Sequence, residues 1–241
     1  MVEIDSIYKG DCMSLLSDID DDSVDLTILD PNYDDWDKLC SDGLIEEAIR
    51  VTKLSGNILM FTKQPFDYEL RNEIDEIFRR EIIWTFSNGG AWVSNKMPLV
   101  SFQKIFWCTL SDEFYFDPRT GMGYSSDTKD FKRDSKVFGG YKEEGRVFTK
   151  SDEGIWLRDH LHYEKPNCGA IPAKPMSLIR IFLRCFCPEG GIVFDPFMGS
   201  GNIELSCIKE KRHYVGFEVN AETFSLAKDR IESEKRQLNL F

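Results

Sequence analysis

Short apolar runs alternate with amphipathic stretches along much of the chain, and this alternation restricts the possible folds most strongly. Residues 24–29 form a β-branched apolar run that ends at a proline turn. Residues 44–53 carry apolar side chains at helical spacing, and residues 57–61 form a second apolar run. The order strand, helix, strand leads to parallel pairing of neighbouring strands. The pattern therefore predicts an α/β protein with a mostly parallel sheet and helices on both faces.

The same rhythm continues on both sides of an irregular middle region. Before that region the pattern predicts a helix at 66–80, a strand at 81–86, and two short strands at 104–109 and 113–116 that pair as a hairpin-like edge. After it the pattern predicts a helix at 175–187, a strand at 191–194, a helix after Gly201, a strand at 214–219 and a last helix from Ala221.

The irregular region, at about residues 117–165, is too long for an ordinary connection and too aromatic for a plain linker. We expect one domain, residues 1–241, with this segment as a substrate-recognition insertion, because charge and aromatic residues coincide there. The alternative is a partly ordered surface insertion. The net charge of −12 excludes a uniformly basic polyanion binder, but residues 119–150 carry eight bases and five acids. The candidate phosphate contacts are therefore Lys129, Lys132, Arg133, Lys136, Lys142 and Arg146.

Several classes of protein are disfavoured by the same sequence. No apolar run approaches the length of a membrane span, and the acidic N-terminus lacks a signal-peptide pattern, so we expect a cytoplasmic protein. The seven cysteines are scattered and are expected to be reduced. The pair His160 and His162 is interpreted as structural rather than as part of a metal site, and no metal is expected.

Two turns follow predicted buried strands, at the edge where ligands bind in open α/β sheets. The first runs from Asp195 to Gly201 and reads D-P-F-M-G-S-G. Glycines at 199 and 201 allow close approach of a ligand to the backbone at the start of a helix. Glu218 lies at the end of the next predicted strand, where a carboxylate can accept both hydroxyls of a ribose. Together these residues predict a site for a nucleoside-type cofactor.

The second turn is Asp30-Pro31-Asn32-Tyr33. The Asp30 carboxylate and the Pro31 carbonyl can accept the two hydrogens of an exocyclic amine, and the Tyr33 ring can stack on the attached base. The turn therefore predicts a site for an amine on an aromatic ring.

The two turns, together with Ala173-Lys174-Pro175, resemble the signature blocks of the β-class S-adenosylmethionine-dependent DNA amino methyltransferases. The resemblance implies a Rossmann-like methyltransferase fold with a circularly permuted motif order, in which the catalytic block precedes the cofactor block. It also implies a DNA substrate with a flipped-out base, the product S-adenosylhomocysteine, and a bacterial, archaeal or phage-encoded protein. The sequence leaves open whether this protein is a restriction-modification partner, a regulatory methylase or a phage-borne enzyme.

Residue roles are carried over from the same resemblance. Asp11 would contact the cofactor adenine, and Glu218 would bind the ribose. The implied catalytic residues are Asp30, Pro31, Asn32 and Tyr33. The implied cofactor-binding residues are Asp11, Asp30, Lys174, Pro175, Asp195, Pro196, Phe197, Gly199, Ser200, Gly201, Asn202 and Glu218.

The chain departs from the family pattern at Asn32, where the family has a second proline, at Asn202, where it has threonine, and at residues 171–173. Asp30 at the head of the turn favours adenine N6 as the target, with cytosine N4 as the alternative. Two further candidate functions are a non-catalytic cofactor-binding subunit and, less favoured because the G-x-G-x-x-G spacing is absent, a nicotinamide dehydrogenase. The expected partners are double-stranded DNA and a homodimer or heterologous subunit.

Overall fold

The computed structural model describes residues 2–32, 42–87, 98–119, 156–166 and 173–238. Its strands are β1 (Ser6–Lys9), β2 (Val24–Leu29), β3 (Thr52–Thr62), β4 (Phe78–Thr85), β5 (Phe102–Thr109), β6 (His160–His162), β7 (Ile192–Asp195) and β8 (His213–Glu218). Its helices are α1 (Cys12–Leu15), α2 (Leu44–Val51), α3 (Phe66–Glu73), α4 (Met176–Phe186), α5 (Asn202–Lys209) and α6 (Ala221–Leu238).

All eight strands belong to one sheet in the order β1-β8-β7-β2-β3-β5-β4-β6. Among these strands β5 alone runs antiparallel to its neighbours, β3 and β4. The predicted mostly parallel sheet is therefore confirmed. Strands β7 and β8 come late in the chain, yet they lie between β2 and β1, so the two predicted turns project from the middle of the sheet.

The predicted hairpin of residues 104–109 and 113–116 is wrong. Strand β5 pairs with β3 through Met60 and Phe106 and with β4 through Glu81 and Phe106, so neither of its edges is open. Residues 113–116 form no strand. Their aromatic rings pack instead, and Phe116 stacks on Trp107 with ring centroids 5.1 Å apart. The spacing of these aromatic residues matches the pattern of a strand. Their conformation is determined instead by packing against Phe186 at the end of α4.

The predicted helix 66–80 is also too long, because α3 ends at Glu73 and β4 begins at Phe78. Phe78 pairs with Cys108 on β5, and its ring packs under the Arg71 guanidinium at 3.8 Å. Pairing with the sheet therefore overrides the helical spacing of Phe78. In the described part of the chain no helix is long and apolar enough to cross a membrane.

Helices cover both faces of the sheet. On one face α4, α5 and α6 pack over a core that includes Val193 of β7 and Tyr214 of β8. On the other face α1, α2 and α3 pack over residues that include Phe194 and Phe217. Because side chains alternate along a strand, Asp195 projects to the same face as Val193. The sheet thus directs the last side chain of β7 toward α5.

The insertion leaves and rejoins the domain at Arg119 and Trp156, which form an isolated antiparallel bridge. The Leu157 amide donates to the Pro118 carbonyl at 2.6 Å, and the Asp117 amide donates to Cys185 near the end of α4. After this stem the chain forms β6, which pairs with β4. Residues 120–155, with the six predicted phosphate contacts, lie outside the described residues.

Candidate functional site

Three carboxylates gather where neighbouring strands end. Asp30 follows β2, Asp195 ends β7 and Glu218 ends β8, and these strands are adjacent in the sheet. The carboxyl ends of parallel strands meet at one edge, where ligands bind in open α/β sheets. The structure therefore brings Asp30, at the start of the first predicted turn, together with the predicted turn at 195–201.

The glycine turn after β7 is held by its own acidic residues. The Phe197 amide donates to Asp195 Oδ1 at 3.0 Å, and the Gly199 amide donates to Glu218 Oε2 at 2.9 Å. Gly199 and Gly201 have φ of 55° and 79°, a left-handed conformation that glycine adopts without steric cost. The Glu218 carboxylate also accepts from the Asn220 amide at 2.7 Å, so it links this turn to the start of α6.

One oxygen of Asp195 is left without a partner. Asp195 is 1% exposed, and its Oδ2 has no hydrogen-bond partner among the described residues. Burial raises the pKa of Asp195 well above its usual value, and the neighbouring Asp30 and Glu218 carboxylates raise it further. A buried acceptor of this kind is costly to leave unpaired, so the site fits a ligand that brings a cationic or hydrogen-bond donor group.

The Lys174 ammonium forms an ion pair with the Asp30 carboxylate. Its Nζ donates to both Asp30 carboxylate oxygens, at 2.7 and 2.6 Å, and is 4.9 Å from the centroid of the Phe61 ring. The resemblance assigned Lys174 to the cofactor pocket, and nothing in the sequence linked it to a residue 144 positions away. The two side chains are 15% and 21% exposed, so the pair is only partly screened by solvent.

Asn202, one of the departures from the family pattern, has a clear structural role. Its side-chain amide nitrogen donates to the Lys174 carbonyl at 2.8 Å, and its Oδ1 accepts from Arg230 at 2.8 Å. Arg230, on α6, also donates to the Ser200 carbonyl. Asn202 therefore ties the lysine segment to the glycine turn. Sequence reasoning missed Arg230, because a charged residue on an amphipathic helix carries no signal of its own.

The remaining predicted residues surround this edge. Asp11 follows β1 and caps α1, where its Oδ1 accepts from the Met13 amide at 2.9 Å. Pro31 is buried and Asn32 is exposed, and Tyr33 lies outside the described residues. Pro175 is buried immediately before α4. In the glycine turn Pro196 is buried and Phe197 is half-buried.

Two further lysines, Lys63 and Lys165, lie near Lys174. Burial lowers the pKa of Lys165, and the positive charges of Lys174 and Lys63 lower it further, which places the three ammonium groups in one neighbourhood. Lys165 Nζ is 3.8 Å from the centroid of the Phe86 ring. Sequence reasoning missed Lys63 and Lys165, since it counted an excess of positive charge only over residues 119–150.

No group of three or more metal-ligating side chains occurs within the described ranges. His160 and His162 belong to β6, and His162 Nε2 is 3.3 Å from Glu164 Oε1. His213 begins β8, where its Nδ1 is 2.8 Å from Asp5 Oδ2. His162 and His213 therefore contact carboxylates of the chain itself.

Comparison with known proteins gives consistent matches. A family model described as DNA methylase, of the N6 and N4 type, matches residues 5–229. The type II methyltransferase M.HpaI of Haemophilus parainfluenzae is 24% identical over 244 residues, covering 93% of this chain and 73% of the relative. The solved M1.HpyAVI–SAM complex superposes with a TM-score of 0.63 at 19% identity, covering 94% and 98% of the two chains. The cytosine-N4-specific PvuII DNA methyltransferase gives 0.69 at 15% identity, covering 99% and 94%.

Proposed function

Because the chain belongs to the family of DNA methylases of the N6 and N4 type, with S-adenosylmethionine as cofactor, we propose that it methylates the exocyclic N6 of adenine. The adenine would be flipped out of double-stranded DNA, since a paired base cannot reach the Asp30 turn. The restriction-modification relatives favour a sequence-specific enzyme.

The observation that carries this proposal is the adjacency of the two turns. The Asp30 turn and the Asp195 turn follow neighbouring strands, β2 and β7, whose residues Thr27 and Phe194 are paired. A cofactor on one turn and a base on the other would therefore lie side by side. Such positioning alone converts a reaction between two ligands into one within a single complex.

The residues present fit the cofactor. Its methionine portion carries a cationic amino group, and the unpaired Oδ2 of buried Asp195 is an acceptor suited to a cation. Glu218 accepts one backbone amide at each oxygen and retains lone pairs for ribose hydroxyls. Asp11 follows β1, the strand beside β8, on the side expected for the adenine. When bound, the cofactor supplies an electrophilic methyl group on a sulfonium.

Residues of the chain itself would bind and orient the amine. Asp30 and the Pro31 carbonyl would accept its hydrogens, which directs the nitrogen lone pair toward the methyl group. Lys174 would hold the Asp30 carboxylate in one orientation, because it contacts both oxygens. Tyr33 would stack on the flipped base, and Lys63 and Lys165 would attract the neighbouring phosphates.

The choice of adenine over cytosine follows from Asp30. In the family, aspartate at the head of this turn is typical of adenine-N6 enzymes, and serine or threonine of cytosine-N4 enzymes. Cytosine N4 stays the second candidate, because the cytosine-specific PvuII enzyme shares the fold over 99% of this chain.

The test is incubation of the protein with methyl-labelled S-adenosylmethionine and unmethylated genomic DNA, followed by digestion and mass spectrometry of the nucleosides. We expect labelled N6-methyldeoxyadenosine from the wild type. We expect none from Asp30→Ala, which removes an acceptor of the amine hydrogens, while cofactor binding is retained.

The matched control is Asp229→Ala, which changes an exposed residue of α6. We expect this variant to keep full activity. Labelled N4-methylcytosine would overturn the adenine assignment and keep the chemistry. Absence of label with intact cofactor binding would support the non-catalytic subunit instead.

A further inference from the structure

Glu204 is a buried acid that neither the family resemblance nor the proposed reaction uses. It lies in the first turn of α5, is 0% exposed, and neither carboxylate oxygen has a hydrogen-bond partner among the described residues. A buried ionised carboxylate without partners costs several kcal/mol, roughly, so the side chain must be either neutral or paired with a group that the described contacts leave out.

The register of the sheet places Glu204 next to Asp195. Asp195 on β7 pairs with Gly216 on β8, so both residues face the same side of the sheet, the side of α5. Glu204 Oε1 occupies the space that a side chain at 216 would need, only 2.5 Å from an ideal Cβ on Gly216. Neighbouring strands are about 4.8 Å apart. The Glu204 carboxyl group therefore fills the position beside Asp195 on the adjacent strand, and the Oδ2 of Asp195 is also unpaired.

The surrounding charges disfavour ionisation of both acids. Burial raises the pKa of Glu204 well above its usual value, and the Asp195 and Glu218 carboxylates raise it further, while Arg230 opposes them. The pKa of Asp195 is also raised by the Asp30 carboxylate and lowered by the Lys174 ammonium. The other titratable groups around Glu204 are Cys207 on its own helix and Tyr214 on β8, whose pKa values are raised chiefly by burial.

We propose that Glu204 is a second carboxyl of the cofactor site, sharing one proton with Asp195 across Gly216, and that binding of the cationic cofactor releases this proton to solvent. Two buried acids that interact titrate as a pair, and the pair holds one proton over a range of pH. The proposal rests on the proposed function, in which Asp195 binds the cofactor. Gly216 is the residue that makes room for the pair.

The sign of the pH dependence follows from this exchange. Binding of a cation favours the fully ionised pair, so a proton leaves when the cofactor binds, and affinity rises with pH. The rise reaches tenfold per pH unit at most and stops above the pH at which the free protein has lost the proton. In Glu204→Gln the second acid is replaced by an amide that can donate to Asp195, so less of Asp195 is protonated and the rise with pH is smaller.

The test is titration calorimetry of the whole protein with S-adenosylmethionine, in two buffers of different ionisation enthalpy and over a range of pH. We expect release of close to one proton by the wild type and by the control Glu222→Gln, which changes an acid at the exposed start of α6. We expect a clearly smaller release by Glu204→Gln. The neutral ligand 5′-methylthioadenosine, which shares the nucleoside and lacks the amino acid, should release no proton from the wild type.

A second measurement needs no variant to fold. The infrared carbonyl stretch of a protonated carboxyl should be present in the free wild type at neutral pH and disappear on addition of S-adenosylmethionine. Binding without proton release, or a protonated band unchanged by the cofactor, would overturn the carboxyl pair alone. Failure of S-adenosylmethionine to bind at all would instead overturn the cofactor assignment, and this proposal with it.

Discussion

At the scale of single residues, the ion pair of Lys174 and Asp30 holds a carboxylate of the proposed catalytic turn. The Asp30 carboxylate follows β2 and would be free to rotate at the edge of the sheet, but Lys174 contacts both of its oxygens. Each oxygen keeps a second lone pair, so a base amine can still donate to it. We therefore propose that Lys174 positions the turn. The backbone carbonyl of Lys174 accepts from the Asn202 side chain.

Lys174→Met should lower the rate constant of methyl transfer by about 100-fold, because small displacements of a positioning group have effects of that size. The affinity for S-adenosylmethionine should be largely kept. Lys174→Arg, which preserves the charge, should restore part of the rate. Single-turnover kinetics together with equilibrium binding of the cofactor measure both quantities.

The control for that variant is Lys211→Met, which removes an exposed lysine paired with Glu189. A wild-type rate combined with much weaker cofactor binding in Lys174→Met would contradict the positioning role. It would support a place for Lys174 in the cofactor pocket, as the family resemblance implies.

At the scale of secondary-structure elements, the contact of α5 with β8 is closer than two elements usually allow. Residue 216 has no side chain, and the space beside it contains Glu204 Oε1 and Met198 Sδ, the latter 3.1 Å from an ideal Cβ. The helix can therefore begin directly over the carboxyl ends of β7 and β8. This is the arrangement that brings the glycine turn to Glu218.

Gly216→Ala should lower the free energy of unfolding by about 1–3 kcal/mol, the usual cost of overpacking a core. Glu204 is fully buried and has no room to withdraw, so the added methyl must displace α5. Thermal and urea unfolding measure the change.

The double variant Gly216→Ala with Glu204→Ala provides the check, because the shorter side chain vacates the space. We expect the double variant to be more stable than the sum of the two single changes predicts. Strict additivity would show that the two residues are not in contact.

At the scale of the whole molecule, buried carboxyls make stability depend on pH in two opposite directions. Burial raises the pKa of Glu210, but hydrogen bonds from Arg184 and Arg180 outweigh burial and bring this pKa below its usual value. The contribution of Glu210 to folding stability is therefore present at neutral pH and lost on acidification. Glu204 and Asp195 have raised pKa values, so the folded protein retains a proton that the unfolded chain releases. Their contribution decreases as the pH rises.

Glu204→Gln should therefore become more stable relative to the wild type as the pH is raised from the ordinary glutamate pKa of 4.5. The difference should grow by at most about 1.4 kcal/mol per pH unit, which corresponds to one proton, and level off above the folded-state pKa. Urea unfolding without cofactor, at several pH values, measures it. A difference that does not vary with pH would show that Glu204 is ionised in the folded protein.

The order of elements also shows the limits of local patterns. The periodicity predicted βαβ units correctly, because apolar spacing reports which face of a segment is buried. It predicted a hairpin at residues 113–116 and a helix extending past residue 77, because local spacing does not show that β5 lies between β3 and β4. Pairing partners far apart in sequence decided both segments.

The sequence alone determined the family and the cofactor, because the residues that identify them are contiguous at 30–33 and 195–201. Only the tertiary structure decided which distant side chains complete these two segments: Lys174 on Asp30, Arg230 on Asn202, and Glu204 beside Asp195 across Gly216. Each of these contacts joins different elements, and the register of parallel strands and the packing of helices on the sheet determine it. No local pattern encodes that register.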